Sequence, residues 1–300
     1  MNSEATLVAG PAAETSADRA LNPLLLALLR TLRNPMGALG LAILLLLVLA
    51  ALAAPLIAPF DPAEQHPGFE LHPPGTPFLL GTDDLGRDIL SRIVFGSQLS
   101  LLVGVVAVAL GAGVGTPLGF VSGYFGRWVD AVIMRCCDAF LALPGILMAI
   151  AVIAVLGPGT AQTAFALAVV SVPEFARLTR GAVLAERDRE YVQAAVSLGC
   201  PHGRIMLRHL LPNCAGPLLV QLSLAMGFAV LASAALSFLG LGTGPPAPSW
   251  GGMLHDSRQY LRQAPWFGVF PGIALAVLLV GLNYLSDALR EAFDPRGRLG

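Results

Sequence analysis

Apolar residues fall into six long runs separated by short polar stretches: 36–58, 99–121, 139–156, 161–178, 215–241 and 266–285. A helix rising about 1.5 Å per residue crosses a hydrocarbon core of about 30 Å with about 20 residues, so each run predicts one transmembrane helix. Five of the six hold no formal charge. The fourth is interrupted by Pro173, Glu174 and Arg177, which predicts that its end emerges into water. The expected fold class is all-α, a polytopic membrane protein with six transmembrane helices.

Composition agrees, since 55% of the 300 residues are hydrophobic and 12% are charged, which excludes an ordinary soluble domain. The net charge of −1 says less than where the arginines lie. With the N-terminus inside, fourteen arginines fall in inner segments and only four (Arg87, Arg92, Arg258 and Arg262) in outer ones. That positive-inside bias places both termini in the cytoplasm. Residues 1–20, with Glu4, Glu14 and Asp18, lack the basic-then-apolar order of a secretion signal and read as a disordered cytosolic tail. Trp250, Tyr260 and Trp266 suit the outer headgroup zone.

All eighteen basic residues are arginine. A phosphate-binding P-loop needs a lysine, so the chain is not expected to hydrolyse ATP by that device. Gly111, Gly113 and Gly115 imitate a nucleotide loop, but inside an apolar span they read, with Gly119 and Gly123, as small residues that let helices approach closely. The five histidines (His66, His72, His202, His209, His255) are scattered over both sides, with no H-E-x-x-H and no G-x-S-x-G. No catalytic residue, metal site or cofactor is expected. Cys136, Cys137, Cys200 and Cys214 fall at or near the inner face and read as free thiols. A metal or redox pair at Cys136–Cys137 is disfavoured by the strain of a vicinal bridge and the absence of a nearby His.

The most informative segment is the inner loop 186–213. It predicts two short helices. The first covers 189–198, with Tyr191, Ala194, Ala195 and Leu198 at helical spacing and Gly199 as C-terminal cap. The second, over 203–211, is opened by Pro201, is basic through Arg204, Arg208 and His209, and is stopped by Pro212. Small alanines flanked by charges make a knob for a partner's groove, with Ala195 on the face of Tyr191 and Leu198. A helix lying on the anionic inner leaflet is the alternative.

Glu190, Tyr191, Ala194, Ala195, Gly199, Ile205, Leu211 and Pro212 resemble the EAA loop of bacterial ABC-importer permeases, in the form E-Y-V-x-A-A-x-x-x-G. The resemblance spans nearly the whole chain and points to the C-type permease of dipeptide, oligopeptide and nickel importers. It is carried also by Asn34-Pro35, by Pro59-Phe60-Asp61-Pro62, and by Gly81-Thr82-Asp83-Asp84-Leu85-Gly86-Arg87-Asp88 followed by Ser91-Arg92. Later matches are the run from Leu236 to Gly242, Pro248-x-Trp250-Gly251 and Asp294-Pro295-Arg296. Asp83, Arg87 and Asp88, with Gly86 and Arg92, read as a charge cluster that neutralises itself at the outer interface, with contact to a binding protein as the functional alternative.

What the resemblance implies is a type I ABC importer permease fold, divided into the tail 1–20, an N-terminal segment 21–98 with the first span and an external loop, and a permease domain 99–300. It implies a bacterial inner-membrane subunit forming half of a path for peptides or similar solutes, nickel chelates and glutathione included. The implied partners are a homologous second permease, two ATP-binding subunits docking on the inner loop, and an external solute-binding protein, all within a lipid bilayer and without nucleic acid. Members often carry an acid where this chain has Ser233. Gln221, Ser233, Ser237 and Asn283 are the candidates for lining the path; Gln162, Ser223 and Asp287 are further polar groups in or near spans. A secondary transporter or channel, and an intramembrane enzyme, are the rival classes, and the uncharged spans argue against both.

Overall fold

The computed structural model describes residues 31–244 and 246–293. The described helices are α1 Pro35–Leu52, α2 Ala54–Ile57, α3 Ile89–Phe125, α4 Arg127–Leu141, α5 Gly145–Leu156, α6 Thr160–Glu186, α7 Glu190–Ser197, α8 His202–Phe238, α9 Trp250–Ser257 and α10 Pro265–Phe293. Among the described residues, β-pairing is confined to one bridge between Thr82 and Asp88. The expected tail 1–20 and the Asp294-Pro295-Arg296 motif lie outside the described residues.

Four helices, α1, α3, α8 and α10, are long and apolar enough to cross a membrane, or five spans if the bent pair α4 and α5 counts as one. The expected six are not reached on length and apolarity. The run 139–156 is not one helix, because α4 and α5 meet at 87°. Pro144, just before α5, lacks the amide proton a continuous helix would use and its ring clashes with the preceding turn. The fourth run is not interrupted as a helix at Pro173. α6 continues through that proline to Glu186 over 27 residues, with Glu174 and Arg177 both exposed. It is long enough to cross but too polar to count alone.

The α3–α6 pair forms the centre. Helix α3 presents Gly111, Gly115, Gly119 and Gly123 to α6, one residue per turn. A Cβ built on Gly115 would lie 2.4 Å from the Val172 carbonyl oxygen, and one on Gly119 2.4 Å from that of Ala176. Backbones therefore touch, which only glycine permits. Gly113, expected in the same set, faces open space. Above the glycine ridge, Val103, Ala107, Phe175, Ala229 and Leu236 join α3, α6 and α8 in one apolar core.

Helix α4 is joined to α6 by two ion pairs. Asp130 accepts from Arg180 Nε at 2.5 Å and Nη2 at 2.6 Å, and from Ser122 Oγ at 2.5 Å. Asp138 accepts from Arg177 Nη2 at 2.5 Å. Both aspartates thus tie α4 to α6. Helix α1 packs on α10, where Asn34 caps α1 and its Nδ2 donates to Glu291 Oε2 at 2.6 Å.

Candidate functional site

Candidate chemistry gathers at the two ends of the bundle. At one end, α6 leads through a turn into α7. Gly199 adopts φ +72, its N–H bonds the Val196 carbonyl at 2.9 Å, and the Cys200 N–H reaches back to Ala195 O at 3.1 Å. This is a left-handed helix stop of the expected kind. Val192 and Ala195 are buried against Phe120, Val183, Ile205, Leu210 and Cys214, so the short helix is clamped to the bundle. Tyr191 Oη donates to Glu186 Oε2 at 2.8 Å. Burial, reinforced by that acceptor, pushes the tyrosine hydroxyl up to about 12, so it stays a donor. Tyr124 Oη lies 2.8 Å from His202 Nδ1 and ties the start of α8 to α3.

Two expectations about this loop are corrected. Ala195 does not share a face with Leu198: Ala195 is 5% exposed and Leu198 83%. The outward face carries Gln193, Ala194, Val196 and Leu198, joined by Leu207 and edged by Glu190, Arg204 and Arg208. Nor does Pro212 stop the second helix. The segment Ile205–Leu210 is wound as a π-helix, and the Leu211 N–H bonds the Met206 carbonyl five residues back. That wider turn has no need of the Pro212 amide, and α8 runs on to Phe238. Ile205 is buried, Leu211 half-buried, and Gly199 and Pro212 exposed.

At the opposite end, Gly81–Arg92 folds over the start of α3. Asp83 is fully buried and shared by two arginines, with Arg87 Nε at 2.6 Å and Arg92 Nε at 3.3 Å from its Oδ2. Asp88 caps α3, its Oδ2 accepting from Ser91 N at 2.8 Å and Ser91 Oγ at 2.7 Å. Gly86 takes φ +72 to close the turn, and a Cβ there would lie 2.4 Å from His66 O. Of the expected mutual neutralisation, Asp83 pairs with Arg87 and Arg92, inside the protein rather than at its surface, while Asp88 pairs with neither arginine. Trp250 is likewise not an interfacial ring: it is 1% exposed, and its Nε1 donates to Ile93 O at 3.0 Å.

Beside this motif opens a cavity of about 420 Å³, lined by Arg87, Arg92, Ser237, Thr243, Ser249 and Asp256 together with glycines of 240–252. Thr243 Oγ1 lies 2.9 Å from Thr160 Oγ1, joining the loop after α8 to the start of α6. Burial holds the Asp256 carboxyl above the usual carboxylate range, opposed by Arg92, Arg87 and His255. Asp84 is raised by burial, then by the charges of Asp83 and Asp256.

The four candidate path residues are not brought together. Ser233 and Ser237 are buried one turn apart on α8, and both border a small void near the cavity. Gln221 lies toward the other end, in a separate cavity of about 340 Å³ with Arg290 and Phe293. Asn283 is exposed on α10. Asp256, Thr243 and Ser249 escaped sequence reasoning. The signal was within reach, because Asp256 follows Trp250-Gly251 by one and a half helical turns.

Comparison with known proteins accounts for this layout. Residues 115–299 match the family described as binding-protein-dependent transport system inner membrane component. The chain belongs to this family. Residues 22–74 match the N-terminal transmembrane domain of oligopeptide transport permease C. The dipeptide transport system permease protein of Alkalihalophilus pseudofirmus is 44% identical over 264 residues, covering 88% of this chain and 87% of that protein. The di/tripeptide transport system permease protein of Pseudomonas aeruginosa is 45% identical, covering 87% and 88%. The glutathione transport system permease protein of Pectobacterium atrosepticum is 43% identical over 223 residues, 74% of each chain. A chain of the MetNI methionine ABC transporter in an inward-facing conformation superimposes with a TM-score of 0.55 at 19% identity, covering 68% of this chain and 97% of that one. The chain is a multi-pass permease component of an ABC importer with the type I permease fold, working with ATP-binding subunits and a solute-binding protein.

Proposed function

We propose that the chain forms half of a translocation path for di- or tripeptides and similar small solutes such as glutathione. The other half is a homologous permease, and two ATP-binding subunits dock in the cytoplasm on α7 and the start of α8. The peptide and glutathione permeases that resemble it over most of its length support the solute class. The single observation that carries the docking role is the outward face of the loop. Val196, Leu198 and Leu207 are 52%, 83% and 71% exposed on an element clamped to the bundle by Val192 and Ala195. Apolar side chains held in water on a rigid base fit a complementary groove. Basic residues inside each loop of this end support a cytoplasmic orientation of both termini.

ATP binding would draw the two ATP-binding subunits together and carry the paired loops with them. Access then alternates because the closed ATPase pair binds one permease conformation better than the other. The experiment replaces Leu198 with Glu, or exposed Ala194 with Trp, and purifies the assembled importer. Both variants should insert and fold normally, lose most of the co-purified ATP-binding subunit, and lose peptide-stimulated ATP turnover. Full assembly and uptake with both would remove the loop as the docking element.

A further inference from the structure

The cavity beside the Gly81–Arg92 motif carries an acid that the ion pairs of the motif do not use. Arg87 is paired with Asp83 at 2.6 Å and stands 3.8 Å from Asp84. Arg92 lies 3.3 Å from Asp83 and gives Nη1 to Pro62 O at 3.1 Å. Both guanidinium groups are more than nine-tenths buried and already engaged. Asp88 is spent on capping α3. That leaves Asp256, on the cavity wall, with no described residue at ion-pair distance. Two arginines therefore face four acids, and the excess negative charge falls where the wall is open. Around it stand Thr243 and Ser249, whose hydroxyls can orient a bound group, and Ser237 of α8.

We propose that this cavity receives the primary ammonium end of the solute, with Asp256 as its counter-ion and the Thr243 and Ser249 hydroxyls beside it. The inference rests on the peptide reading above and names what that reading leaves open: which end of the solute this subunit holds. A volume of about 420 Å³ lies in the range of small-molecule sites, roughly 300–1,000 Å³. It admits a dipeptide and is too small for a folded partner. Both arginines have Asp83 as an ion-pair partner, whereas Asp256 has none among the described residues. An arriving ammonium would favour the ionised form of Asp256, because an opposite charge at close range stabilises the carboxylate. Ser233, where relatives of this class are expected to carry an acid, lies one turn from Ser237. Asp256 places a carboxylate near that same stretch of α8 from a different element.

The test uses the complete importer in vesicles of phosphatidylcholine and phosphatidylglycerol, which contain no primary amine to compete. Ala247, exposed on the cavity wall, is replaced by Cys, and the parent chain corrects for labelling at Cys136. A cationic methanethiosulfonate should modify the new thiol roughly tenfold faster than an anionic one, because Asp256 is the wall charge left without an ion-pair partner while Arg87 and Arg92 are each held by Asp83. Alanyl-alanine should slow the reaction, and N-acetyl-alanyl-alanine should not. Asp256→Asn should abolish both the charge preference and the protection, and Asp256→Glu should restore them. Equal rates for the two reagents, or equal protection by the acetylated peptide, overturns the proposal without reference to any Asp256 variant. Intact protection in Asp256→Asn with loss of solute-binding protein from the complex would assign the acid to protein docking instead. Failure of the peptide reading shows separately, as no uptake of any peptide by the unaltered importer.

Discussion

Replacing Gly119 with Ala sets two effects of known sign against each other. Alanine favours a helix over glycine by about 1 kcal/mol, so by propensity alone the change stabilises. Here the new methyl would sit 2.4 Å from the Ala176 carbonyl oxygen, 2.5 Å from Thr179 Cβ and 3.0 Å from the Arg180 amide nitrogen. Two of these three atoms are backbone. They cannot swing aside, so α3 and α6 must part by most of an ångström along a ridge that Gly111, Gly115 and Gly123 hold at the same spacing. Overpacking of this kind costs about 1–3 kcal/mol, which outweighs or cancels the propensity gain. Gly113→Ala is the internal reference, because nothing lies within 4 Å of its Cβ position and only the gain remains. Denaturant or thermal unfolding of the purified chain in one detergent should place Gly119→Ala about 1–3 kcal/mol below Gly113→Ala. Equal stability of the two variants would refute the backbone-contact argument.

Two further outcomes follow from buried groups. Asp83→Asn leaves Arg87 and Arg92 without their shared counter-ion and should cost about 3–5 kcal/mol, seen as loss of folded protein in membranes. Its neighbour should behave oppositely: Asp84 has a raised carboxyl pKa, so its ionisation opposes folding, and Asp84→Asn should stabilise at neutral pH, with the gain fading as pH falls toward about 4. Ala195→Trp should unpack α7 from Val183 and Leu210 and lower thermal stability before any partner is added, whereas Ala194→Trp should leave the isolated chain as stable as the original.

Much of this was legible in the sequence, and the failures have physical causes. Hydrophobic runs located the membrane helices but not their ends. Ser91, Arg92, Ser97 and Gln98 read as a polar stretch, yet they form the first turns of α3 because each finds a polar partner: Ser91 at Asp88, Arg92 at Asp83, Ser97 at the Val94 carbonyl and Gln98 at the Ala51 carbonyl. The break in the third run was announced by Pro144-Gly145 and masked by the leucines on either side. Periodicity gave α7 and its glycine stop, because those depend on local geometry. It could not say which face of α7 turns inward, since alanine suits a core as well as a groove, and so Ala195 was assigned to the wrong side. Asp256 was missed because its meaning lies in what it is not paired with. That depends on Arg87 and Arg92, more than 160 residues earlier in the chain.

The absence of a stop at Pro212 bears on how force would travel. From His202 to Phe238 the chain is one helix of 37 residues, about 55 Å at the usual rise, with one end in the loop proposed for docking and the other at the wall of the cavity beside Arg87 and Arg92. Such a rod is a lever. A tilt of about 5° at the clamped end displaces the far end by about 5 Å, enough to part the Thr160–Thr243 contact at the cavity rim. Energy spent on one face of the membrane can thus be read on the other within a single element, with no relay of small shifts from helix to helix.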